Sequence, residues 1–168
     1  MQSYNTLLSF DQEHLSVQQP GSTAGNVSGM WLTILNHYFP ITQDYAHRPE
    51  EYQASMGGYT DITSVRWLGN TISDCRPFLI TQTKARMYDT GAAEWQTGRY
   101  QLRGYLGGIR QGRRRKWYWG IVAIGSSVEF YTYNRNNDTL TMMGHRLHVV
   151  NNHQAIHNTL EGIRRAAR

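Results

Sequence analysis

The stretch "RPFLITQTKARM", residues 76–87, decides the reading of this chain. Side chains along a strand alternate between its two faces, so Phe78, Ile80, Gln82 and Lys84 share one side and Leu79, Thr81 and Thr83 the other. An amide and then an ammonium therefore continue an apolar row. Just upstream, "YTDITSVRW" (59–67) alternates as a strand should, and "LGNTISDC" supplies turn residues between the two. The pair reads as a hairpin, which brings Asp61, Gln82 and Lys84 to one end of a sheet.

Around this hairpin the periodicity changes. "VSGMWLTILNHYF" places Met30, Trp31, Ile34, Leu35 and Tyr38 at helical spacing, and Pro40 stops the helix. Ahead of it, residues 1–26 with their "SVQQPGSTAGN" stretch read as an arm or loop before a single domain spanning 27–168. A strand is expected near 52–56. From Gly91 to about Gly112 the pattern is helical again, with Trp95, Leu102, Leu106 and Ile109 on one stripe. "KWYWGIVAIG" is apolar on both faces, as in a central strand, and "SVEFYTYN" pairs with it across a Gly125-Ser126 turn. A short strand is expected at 139–143, then a closing helix from about Asn151 to Arg165 that buries Ile156, Leu160 and Ile163. The order αβββαββ plus a C-terminal helix predicts an α/β (or α+β) sandwich with a central mixed β-sheet flanked by helices.

Composition narrows the partners. The 168 residues carry 17 Lys plus Arg against 12 Asp plus Glu, a formal charge of +5. Arg110, Arg113, Arg114, Arg115 and Lys116 cluster in "RQGRRRKW", a pattern that suits a phosphate backbone through counterion release, or else forms a solvated turn. No run approaches the roughly 20 apolar residues of a membrane helix, and the polar start does not read as a secretory signal. An intracellular setting, nuclear or cytoplasmic, is expected. The single Cys75 cannot form an internal disulfide and reads as a small packing residue.

A carboxylate at Asp61, an amide oxygen at Gln82 and an ammonium at Lys84 form a set that can hold a divalent metal and orient a water beside it. The other reading of Gln82 and Lys84 is a strand end emerging into water. His145 and His148, and His153 and His157, have ligand-like spacing but lack the glutamate of a zinc-protease helix, and they read as surface or capping residues. Trp117, Tyr118, Trp119, Phe130, Tyr131 and Tyr133 lie in expected central strands and read chiefly as core.

Asp61, a gap of about twenty residues, and then "QTK" at the end of the next strand resemble the signature of the PD-(D/E)XK nuclease superfamily, with Asp61 matching the motif aspartate and Lys84 its lysine. "QLRGY", with Gln101 and Tyr105, resembles the Q-x-x-x-Y element of RecB-like members, and "WYWGIVAIGSSVEFYTYN" resembles the following strand pair in fungal members. The resemblance covers roughly residues 28–165. It implies a restriction-endonuclease-like core, Mg²⁺ or Mn²⁺ as cofactor, and cleavage of DNA or, less so, RNA, with Gln101 and Tyr105 orienting Lys84 or touching a phosphate. Many duplex-cutting members are homodimers, which the sequence allows here.

Three positions depart from the pattern. Thr60 replaces the motif proline, Gln82 replaces an acidic residue, and the first helix has no Asp or Glu. Glu94 lies seven residues before Gln101 on one helical stripe and is a candidate displaced metal ligand facing Lys84; Glu50 and Glu51 are alternative donors. A domain that keeps the fold but binds without cutting is the competing expectation.

Overall fold

A computed structural model of the chain describes residues 2–53, 57–109 and 117–167. The basic cluster Arg110, Arg113, Arg114, Arg115 and Lys116 therefore lies outside the described residues. Helices α1 (Leu8–Gln18) and α2 (Ala24–Tyr38) come first, then strands β1 (Tyr45–Gln53), β2 (Gly58–Trp67) and β3 (Cys75–Lys84). Helix α3 (Ala92–Gly108) follows, then β4 (Trp117–Ile124), β5 (Ser127–Asn134), β6 (Thr139–Met142), β7 (Leu147–His148) and α4 (His153–Ala167). The sheet runs β1-β2-β3-β4-β5-β6, with β7 also pairing with β5. β3 and β4 are parallel, linked through α3, and the other neighbours are antiparallel. The chain is thus an α/β fold with a mixed sheet.

The sheet separates two cores. On one side, Val27, Met30, Trp31, Ile34, Leu35 and Tyr38 of α2 pack with Ile156, Leu160 and Ile163 of α4 over Ile62, Phe78, Leu79, Ile121 and Phe130. On the other, Trp95, Leu102, Tyr105 and Leu106 of α3 cover Ile80, Tyr118, Val122, Ile124, Tyr131 and Tyr133. Each large side chain buried here contributes about 1.5–3 kcal/mol. Helix α2 starts at a reciprocal cap in which Thr23 N–H donates to Asn26 Oδ1 at 2.9 Å, and it stops at Phe39 before Pro40.

Three expectations need correction. Residues 2–26 carry a packed helix where an arm or loop was expected: α1 buries Phe10 and Val17, and Tyr4 before it is fully buried. Gln18 Nε2 donates to Ser126 Oγ at 2.5 Å, Ser126 Oγ lies 3.1 Å from His14 Nε2, and Arg86 donates to the Gln18 carbonyl at 2.6 Å. Phe78 does not share the face of Ile80 and Gln82. The β2–β3 register passes from Ser64↔Leu79 to Val65↔Pro77, which leaves Phe78 as the extra residue of a bulge. Phe78 thereby meets Phe39 and Tyr45 in the α2 core, while Ile80 lies in the α3 core.

The first strand starts earlier than expected, at Tyr45, and residues 54–56 lie outside the described ones. Of the paired histidines, His157 Nδ1 lies 2.7 Å from Tyr38 Oη in a hydrogen bond, and His148 Nδ1 accepts from the Val150 N–H at 3.2 Å. Cys75 is buried, with Arg48 donating to its sulfur at 3.2 Å.

Close contact seats α3 on β4. A Cβ at Gly98 would lie 2.7 Å from Val122 Cγ1, and one at Gly120 would lie 2.6, 2.9 and 3.0 Å from three atoms of Leu102. Gly120→Ala therefore has no room and should cost about 1–3 kcal/mol by forcing α3 off the sheet. Urea denaturation of the variant against wild type checks this; unchanged stability would show that α3 shifts freely.

Candidate functional site

The β2–β3 ladder stops at Ile62↔Thr81. Beyond it, the next β3 N–H directed at β2, that of Thr83, is taken by a side chain: Asp61 Oδ2 accepts it at 2.6 Å. A strand change at Asp61 makes this possible. Thr60 Oγ1 and Thr63 Oγ1 are 2.8 Å apart, whereas residues three apart in a regular strand are separated by about 10 Å and point to opposite faces. β2 is therefore kinked at Asp61. β1 kinks at the same level, because Glu50 has a left-handed φ of 50° between the pairs Pro49↔Ile62 and Glu51↔Thr60.

Asp61 stands at this kink, under the influence of charges from both neighbouring strands. Burial pushes the Asp61 carboxyl above its ordinary range; the Thr83 N–H and hydroxyl and the charge of Lys84 oppose that, and Glu50 adds to it. Lys84 and Glu50 are thus both within electrostatic reach of Asp61. Gln82, two residues before Lys84 on β3, is 4% exposed, and its Nε2 has no protein partner. A buried N–H donor without a protein partner is costly, and an ordered water or an incoming acceptor such as a phosphate oxygen satisfies it. Thr83, on the other face, is held to α2 by Ser28 Oγ at 2.7 Å.

Helix α3 supplies the roof. Tyr105 is buried, and its hydroxyl overhangs Gly58 so closely that a Cβ there would lie 2.7 Å away. Burial, and after it the charge of Asp61, pushes the Tyr105 phenol upward, so it is a neutral hydrogen-bond donor beside the carboxylate. Gln101 is half-buried one turn earlier. Glu94 lies in the first turn of α3, against Gly91, and no ion pair joins it to Lys84 among the described residues. Glu51 instead pairs with Arg48 at 3.2 Å. Among the described residues no three His, Cys, Asp or Glu side chains converge as a metal-binding group.

A second polar cluster on the α3 side escaped sequence reasoning. Glu129 of β5 is 1% exposed, and it accepts from Arg99 of α3 at 2.8 Å and from Arg146 at 2.9 Å, with the Tyr131 hydroxyl as a further donor. Burial alone would raise its pKa, but Arg99, Tyr131 and Arg146 together hold it below the usual carboxylate range. Arg146 also stacks 3.8 Å over Trp95. The signal available was a lone carboxylate on the same strand parity as Tyr131 and Tyr133.

The raised pKa of Asp61 fixes a sign. The folded chain binds that proton more tightly than the unfolded chain, so the associated stability is present below 3.8 and is lost as pH rises through the folded value. An asparagine keeps an oxygen for the Thr83 N–H and removes the buried charge. Asp61→Asn should therefore melt at the same temperature as wild type or higher at pH 7, with the gain shrinking toward pH 4. Thermal melts across pH check this, and a variant less stable at pH 7 would contradict it.

Comparison with protein-family models, with curated proteins and with solved structures finds no match to the chain.

Proposed function

We propose that the chain is a metal-dependent phosphodiester hydrolase of the PD-(D/E)XK type, acting on DNA or, less so, RNA. The observation that carries the reading is Asp61 held on the Thr83 N–H at a strand kink, with the charge of Lys84 acting on it and the buried Gln82 on the same strand end. Asp61 Oδ1 and the Gln82 carboxamide oxygen would hold Mg²⁺ or Mn²⁺, with Glu94, or else Glu50, as the further carboxylate. The bound ion would supply charge neutralisation at the phosphate and a more acidic water.

The protein's own groups do the rest. Lys84 places a positive charge where the phosphate gains negative charge and orients the attacking water. Tyr105, kept neutral, donates a hydrogen bond to a phosphate oxygen, and Gln101 supports it. The basic residues Arg110, Arg113, Arg114, Arg115 and Lys116 add a salt-sensitive grip on the backbone.

The neutral Gln82 favours one second reading, a nucleic-acid-binding or protein-interaction module that has kept the fold and lost the reaction. The two readings part in a cleavage assay on single-stranded and duplex DNA and RNA with Mn²⁺ or Mg²⁺. Wild type should cut, and Asp61→Asn and Lys84→Ala should each lose about 100-fold or more in rate. Equal cutting by all three refutes the site. Nucleic-acid binding without cutting, and with no calorimetric uptake of either ion, supports the second reading.

A further inference from the structure

Beyond the kink, the β1–β2 ribbon no longer has β3 as a neighbour and carries an aromatic pair at its tip. Tyr52 and Tyr59 face each other across the ribbon with ring centroids 5.2 Å apart and planes at 60°. They are 55% and 60% exposed. Two large rings that touch each other and remain mostly in water add little to a core.

We infer that Tyr52 and Tyr59 form a stacking platform for the unpaired bases of single-stranded nucleic acid at the mouth of the Asp61 site. The inference deepens the phosphodiester reading and rests on it. Position supports it: Tyr59 is two residues from Asp61 and adjoins Gly58, which lies under the Tyr105 hydroxyl. A strand bound with a phosphate at Asp61 and Lys84 would bring a neighbouring base to the ribbon tip.

Ring geometry supports it as well. In an edge-to-face pair one ring presents its rim, so its partner ring covers neither of its faces. Any base offers a π-face to such a ring, whereas bases in a duplex already stack on one another. Each tyrosine holds the other in place, which lowers the ordering cost of binding. The net charge of +5 suits a polyanionic strand rather than an apolar peptide.

The test measures fluorescence anisotropy of labelled single-stranded and duplex DNA oligonucleotides in EDTA, so that binding is read without cleavage. Tyr52→Ala and Tyr59→Ala should each weaken single-strand binding by roughly 5- to 100-fold, the range that aromatic stacking carries, and leave duplex binding within about twofold. Tyr52→Phe and Tyr59→Phe should bind like wild type. Both positions are exposed, so melting temperatures should not move.

Alanine variants that bind single strands like wild type, or lose single-strand and duplex binding equally, overturn the platform and leave the cleavage reading standing. If sedimentation shows that the alanine variants dissociate a dimer instead, the pair is a contact between copies and the platform is equally overturned. Loss of single-strand binding in a protein that never cuts keeps the platform and removes the hydrolase. Wild type that binds no nucleic acid removes both.

Discussion

The carboxylate of Asp61 on the Thr83 N–H is the contact on which the site depends. It occurs where β2 leaves β3, and it replaces a ladder hydrogen bond with a side chain. That substitution satisfies a buried donor and at the same time fixes an ionisable group in a partly buried place. The cost appears as the raised pKa of Asp61, and Lys84 offsets part of it. The opening lies at the end of β3 that carries Gln82 and Lys84, with the Tyr105 hydroxyl close over Gly58 of β2.

Two features of packing hold that space in position. The bulge at Phe78 lets β3 send two consecutive large residues, Phe78 and Leu79, into the α2 core, after which Ile80, Gln82 and Lys84 follow on the α3 side. The close approach at Gly98 and Gly120 then sets the height of α3, and so the reach of Tyr105. Arg99 clamps the same helix to β5 through Glu129. That ion pair is strong because the acid is buried and its two arginines each donate through a guanidinium fork.

Most of the regular elements were legible because each carries a clean period. β2, β3, β4 and β5 alternate or run apolar between turn residues, and α2 and α4 repeat their apolar positions at helical spacing. Helix α1 was missed because its buried residues, Phe10 and Val17, stand seven apart in a polar stretch beside a Gly- and Pro-containing loop. Two-residue β7 is too short to carry a period. That Asp61 and Lys84 fall at the same end of the β2–β3 hairpin was readable from its pairing. The face of Phe78, the kink and its left-handed partner at Glu50 were not, since a bulge is a property of two strands in register and leaves no mark in either alone. The Arg99–Glu129–Arg146 cluster joins three distant segments, and only tertiary contact reveals it.

Pro49 and Glu50 sit side by side in the outermost strand. The first offers no amide hydrogen and the second turns the backbone into a conformation that ordinary strands avoid. The rim of the sheet is thereby spoiled as a template at the point closest to the acid, so the chain protects itself from sheet-to-sheet aggregation where it most needs free access.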